Sequence, residues 1–180
     1  MENRIALAKH FNKLGFKTGA EIGVAGGDFS KILCEQIPDL DLYCVDPWMP
    51  YKDNRRGGGS TQQENNWEKA HRLLEGYHVT FIKDFSVNAL KGFADGSLDF
   101  VFIDGNHDFD FVMEDIIGWS RKVRSGGIVS GHDYYQFHNS GVIEAVNAYV
   151  DFHKIDLNLT LRNTGDYKDD RPPSFWWVKK

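Results

Sequence analysis

A chain of 180 residues with a formal net charge of -5 has the length of one domain and lacks the basic excess of a nucleic-acid binder. Its 41% hydrophobic and 14% aromatic content is enough for a full core. The opening MENRIALAKHF has no apolar signal core, and no run approaches the roughly 18 apolar residues of a membrane span. The expectation is therefore a cytoplasmic protein with neither membrane nor nucleic acid as partner.

Residues 2–14 place Ile5, Leu7, Ala8, Phe11 and Leu14 at helical spacing, and Gly15 ends the run. A first strand covers about 18–24, and a helix at about 28–37 is capped by Asp28 or Ser30 and stopped by Pro38. Leu40, Leu42, Tyr43 and Val45 make a second strand ending in Asp46-Pro47-Trp48. The segment 49–60, MPYKDNRRGGGS, is polar, Gly-rich and without periodicity. It reads as a lid, since a domain boundary there would leave two halves too small to fold. A helix at about 61–75 and a strand at 79–82 follow, then a short helix opened by Asp84-Phe85-Ser86.

The strand 98–103 closes with Asp104-Gly105-Asn106-His107, and the helix at about 108–122 carries Phe111, Val112, Ile116 and Trp119. Gly126-Gly127 turns into the strand 128–130, with His132-Asp133-Tyr134 just past it. A helix at about 140–152 precedes two last strands, 157–161 and 175–178, which leave no room for a helix between them. Strands alternating with helices predict an α/β fold, a doubly wound and mostly parallel seven-stranded sheet with an antiparallel C-terminal hairpin. Ligands of such sheets bind beyond the carboxyl ends of the strands. The polar clusters of this sequence fall at those ends.

Four clusters matter. Glu21, Gly23, Gly26 and Gly27 end the first strand, in a spacing that is not the GxGxxG of dinucleotide sites. Asp46 stands where a carboxylate can accept both hydroxyls of a ribose, and Trp48 beside it either stacks on a ring or packs in the core. Asp84 and Ser86 either reach an adenine amino group or cap a helix. Asp104, His107, His132 and Asp133 gather at two strand ends, where two carboxylates can hold a hard cation such as Mg²⁺, or a histidine can act as general base, or the acids simply serve the turn and cap. His10, His71, His78, His138 and His153 have no such company and read as surface or packing residues. Cys34 and Cys44 read as buried reduced thiols. Lys52, Arg55 and Arg56 read first as a solvated charge run, with steering of an anionic substrate as the functional alternative.

Taken together, these residues resemble the class I S-adenosylmethionine-dependent methyltransferases. EIGVAGGDFS looks like that family's first motif, with Ala25 where many members have a middle glycine. The stretch LDFVFIDGNHDFDFVMEDIIGWSRKVRSGGIVSGHDYY is similar to the pattern of the methyltransferases that include small-molecule and sugar O-methyltransferases, such as macrocin O-methyltransferase-like proteins. The resemblance covers about 18–150.

It implies S-adenosylmethionine as cofactor, held by Glu21, Gly23, Gly26, Gly27, Asp46, Trp48, Asp84, Ser86 and Asp104. It implies a small-molecule hydroxyl as acceptor, activated either by His107 or His132 as base, with Asp104 as a further catalytic residue, or by a divalent cation on Asp104 and Asp133. His132 stands where metal-dependent relatives carry one of a pair of acids. An acid-lined turn suits a sulfonium donor better than a phosphate. A nicotinamide-dependent oxidoreductase and a non-catalytic cofactor-binding module are the alternatives, and a homo-oligomer is compatible with the aromatic tail Phe175, Trp176, Trp177.

Overall fold

A computed structural model describes residues 1–51, 58–137, 140–161 and 172–180. Residues 52–57, which hold Lys52, Arg55, Arg56 and half of the expected lid, lie outside the described residues, as do His138 and most of the loop 163–174.

Seven strands form one sheet: β1 (Thr18–Ile22), β2 (Asp41–Val45), β3 (Val79–Ile82), β4 (Leu98–Ile103), β5 (Val123–Gly131), β6 (Asn158–Leu159) and β7 (Phe175–Val178). Their order is β3-β2-β1-β4-β5-β7-β6. The first five are parallel, and β7 runs antiparallel to both β5 and β6. The expected doubly wound sheet with a C-terminal hairpin is the observed one. Strands β4 and β5 are neighbours, so Asp104 and Asp133 leave the sheet side by side.

Alternation along the strands divides the core into two layers. Leu42, Cys44, Phe100 and Phe102 face α1 (Arg4–Lys13), α2 (Asp28–Gln36) and α3 (Ser60–Leu73). Ala20, Ile22, Val101, Ile103 and Val129 face the other way, onto α4 (Ser86–Ala89), α5 (Phe109–Lys122) and α6 (Val142–His153). In the first layer Phe100 is fully buried and stacks on Phe11 with ring centroids 4.5 Å apart. Cys34 and Cys44 are buried and free, as expected.

Several boundaries differ from expectation. Strand β1 stops at Ile22, because Gly23 turns into the left-handed region at φ 87°. Helix α2 is capped by the left-handed backbone of Gly27, not by Asp28 or Ser30; Asp28 is its first residue and Ser30 turns inward. Strand β5 begins at Val123 rather than Ile128, since the chain leaves α5 already extended. A bulge then separates its pairing at Leu98 from that at Phe100. Among the described residues no helix is long and apolar enough to cross a membrane.

Removing the Phe100 ring should cost about 3–5 kcal/mol of stability, as aromatic-to-alanine changes in packed cores do. Chemical denaturation of Phe100→Ala, with an unchanged m-value, checks this.

Candidate active site

The ends of β1, β2, β3 and β4 open on one cleft of about 500 Å³, flanked by the start of α3 and by α5. That volume lies within the roughly 300–1,000 Å³ usual for small-molecule sites.

The floor is set by two contacts between loops. Asp104 N–H donates to the Ile22 carbonyl at 2.7 Å, and a Cβ on Gly23 would stand 2.2 Å from the Asp104 carbonyl oxygen. Only glycine, with φ 87° and no side chain, lets the turn after β1 lie against the loop after β4. Asp46 then fixes the turn from the other side. Its Oδ2 accepts the N–H groups of Val24 and Ala25, each at 3.0 Å, and its Oδ1 accepts that of Trp48 at 2.7 Å. A carboxylate offers about four acceptor sites. Three are used here, which leaves acceptor capacity toward the cleft.

Of the residues expected around a cofactor, Gly23, Asp46, Ser86 and Asp104 line the cleft. Glu21 does not. Strand alternation turns its side chain into the α2 layer, where the Ser30 hydroxyl donates to it and where it is only 2% exposed. Burial, reinforced by the fields of Asp104 and Asp46 and opposed by the Ser30 bond, pushes its pKa up to about 8. Gly26 and Gly27 lie against Lys69 and Ala70 of α3, so they serve helix packing. Trp48 is 3% exposed, set edge-on to Trp67 and Phe81, with its indole N–H donating to the Ala25 carbonyl. Of its two expected roles it takes packing. Asp84 is exposed and turned to its own helix, accepting the Phe85 N–H and the Asn88 amide.

The acid–histidine cluster assembles as the sequence suggested. His107 Nε2 lies 2.8 Å from Asp133 Oδ2 and 3.8 Å from Asp104 Oδ1. His132 Nδ1 lies 3.2 Å from Asp133 Oδ1 and 3.8 Å from Asp104 Oδ2. Asp104 and His107 face the cleft, whereas His132 is buried behind them and Asp133 backs His107. One ligand atom each from Asp104, His107 and Asp133 lies within 4.8 Å of the others, a set that can hold a metal ion. Burial alone lowers the His107 pKa, but hydrogen bonding and charge from Asp104 and Asp133 outweigh it and carry the value to about 9. Burial likewise raises Asp133, and the two histidines reverse that, holding it well below the usual carboxylate range.

Two participants escape a motif-based reading. Arg4 of α1 places Nη1 3.5 Å from Asp104 Oδ2 while its guanidinium sits over the Phe29 ring at 4.8 Å. Nothing in its local sequence marks it, since only the docking of α1 on α2 brings it there. Asp115 lines the cleft from α5. Its signal was legible: an acid at the helical spacing of Val112, Ile116 and Trp119 lies on the buried stripe.

Residues 20–134 match the family model described as Methyltransferase domain. No curated protein matches the sequence significantly. Among solved structures, the chain is similar to cofactor-bound Rv0187 from MTB, at 16% identity and TM-score 0.71 over 98% of this chain and 79% of that one. It is similar to an O-methyltransferase from Bacillus cereus in complex with SAH, at 14% identity and TM-score 0.69 over 97% and 81%. It is similar too to the O-methyltransferase NovP, at 17% and 0.67 over 98% and 79%. These likenesses establish a shared fold.

Glu21 makes stability depend on pH in a definite sense. Its folded pKa, about 8, exceeds the unfolded value of 4.5, so the folded state holds the extra proton between them. Stability should fall as pH rises through that window. Denaturation of Glu21→Gln from pH 5 to 8 should show a flatter profile than the wild type.

Proposed function

The chain belongs to the Methyltransferase domain family, and on that premise we propose that it is an S-adenosylmethionine-dependent enzyme that methylates a hydroxyl of a small molecule, with sugars and sugar-bearing metabolites as the acceptor class. The observation that carries this reading is the charge of the cleft. Its described lining includes Asp46, Asp104, Asp108, Glu114 and Asp115, against the single basic side chain of His107 and neither lysine nor arginine. A pyrophosphate would meet repulsion there, whereas a sulfonium cation is attracted. Bound S-adenosylmethionine supplies a methyl group already activated by the positive sulfur.

The chain's own residues then have three tasks. The Gly23–Ala25 turn and the remaining acceptor site of Asp46 hold the nucleoside, and Asp104 borders both this turn and the acid–histidine cluster. Methyl transfer is an in-line displacement, so most of the catalytic gain comes from alignment and exclusion of water. Met49, Tyr51, Phe85 and Phe111 supply apolar walls for that purpose. Tyr51 is tied across the cleft by the Asn106 amide, which donates to its hydroxyl at 3.4 Å.

The hydroxyl must also lose its proton. The neutral form of His107, a minority below its pKa of about 9, is the group that receives it, with Asp104 beside it facing the acceptor and His132 and Asp133 behind. A divalent cation fits the same place, because Asp104, His107 and Asp133 offer carboxylate and imidazole atoms at ligand spacing. Such an ion would lower the pKa of a hydroxyl bound to it. The mixed donor set suits Mn²⁺ or Zn²⁺ as well as Mg²⁺.

Calorimetric titration should give micromolar binding of S-adenosylmethionine, weakened at least tenfold in Asp46→Ala, because the turn loses its brace along with a hydroxyl partner. Absence of binding by folded protein refutes the reading. Transfer of labelled methyl to hydroxylated metabolites should fall about 100-fold or more in Asp133→Ala, with donor affinity held within roughly threefold, as removal of a proton-handling group predicts. Equal loss of binding and transfer would reassign Asp133 to the donor site.

A further inference from the structure

Asp115 is a buried acid that methyl transfer itself leaves without a task. It sits on the inward stripe of α5 and is 7% exposed, yet its carboxyl lines the cleft. A carboxyl in such a place is costly unless it is hydrogen-bonded. Its Oδ1 accepts the hydroxyl of Ser86, and Ser86 Oγ accepts the indole N–H of Trp119 at 2.7 Å. An indole N–H can only donate, and a hydroxyl has one proton to give. The bonds therefore run in one direction, from Trp119 through Ser86 to Asp115, and they commit Oδ1. The second oxygen, Oδ2, points under the loop after β4, 3.7 Å from where a Cβ on Gly105 would stand. Phe85, Val87 and Phe111 border the same end of the cleft and form apolar walls of a kind that takes a flat ring.

We infer that Asp115, oriented by Ser86 and Trp119, reads the exocyclic amino group of the donor's adenine through its uncommitted oxygen. The inference rests on the S-adenosylmethionine reading above and adds to it the residue that selects the base. An amino N–H donates to a carboxylate oxygen, whereas a 6-oxo purine presents a second acceptor to the first. Two buried acceptors facing each other leave both unsatisfied, which disfavours the oxo base by roughly 10- to 100-fold. Asp84, whose sequence position suggested this role, is exposed and occupied with its own helix.

The one-way chain gives the inference a sharp test. In Asp115→Asn the Ser86 hydroxyl still claims the oxygen, so the amide NH₂ faces the base and the preference should reverse. The full-length protein is titrated calorimetrically with S-adenosylhomocysteine and with its 6-oxo counterpart S-inosylhomocysteine. The titrations are run at pH 8.5, above the value of about 7 to which burial, opposed by the Ser86 bond, raises Asp115. The wild type should favour the adenosyl compound by about 10- to 100-fold, and Asp115→Asn should bring the ratio to unity or below. Ser86→Ala, which removes the orienting donor and keeps the acid, should lower the ratio at least about threefold and serves if the first variant does not fold. An unchanged ratio in a folded variant overturns the role of Asp115 and leaves the donor assignment standing. Failure of the wild type to bind either nucleoside overturns both.

Discussion

The Asp46 carboxylate is the interaction on which the cleft depends. It gathers the N–H groups of Val24, Ala25 and Trp48, and so ties the turn after β1 to the chain leaving β2. Parallel strands end with unpaired backbone groups, and a charged acceptor there satisfies several at once. The same bonds hold the turn open above the sheet. Gly23 then allows this turn to rest on the loop that carries Asp104, with no side chain between them. Width at one wall and position at the other are thus set by one carboxylate and one missing Cβ.

Charge is arranged around this frame in two ways. The cleft collects acids without lysine or arginine among its described lining, which suits a cationic ligand. The acids at its inner end have basic partners. Arg4 approaches Asp104 from α1, ahead of the family-matched region, and His107 and His132 flank Asp133. Buried carboxylates need such partners, because their mutual repulsion and desolvation otherwise drive one of them to take a proton. Glu21 shows that alternative. Enclosed beneath α2, with Ser30 as its hydrogen-bond partner among the described residues, it is pushed toward the neutral form.

Much of this was legible in the sequence. Among the described residues, apolar periodicity located the helices and six of the strands to within a few residues, and a gap read as too short for a helix between the last two strands foretold the antiparallel edge. The cluster of Asp104, His107, His132 and Asp133 was legible because strand ends are where such sheets present polar groups, and the adjacency of β4 and β5 did the rest. What the motif could not convey was side-chain direction. Glu21 sits one step from the rim, and the two-residue period of a strand sends it into the core. Trp48 and Asp84 are near the cleft in sequence, yet Trp67 claims one and Asn88 the other. Arg4 and Asp115 reach the site only through tertiary packing of helices, although Asp115 betrayed itself as an acid on an apolar stripe.

The central claim is that one cleft, framed by the Asp46-braced turn and the Asp104 loop, receives a sulfonium nucleoside and delivers its methyl toward the acid–histidine cluster. A crystal structure with S-adenosylhomocysteine tests it most directly. The account predicts the nucleoside between the Gly23 turn and the loop after β3, a ribose hydroxyl on Asp46, and the sulfur on the side of Asp104 and His107. A ligand bound elsewhere, or a sulfur directed away from His107, would contradict it.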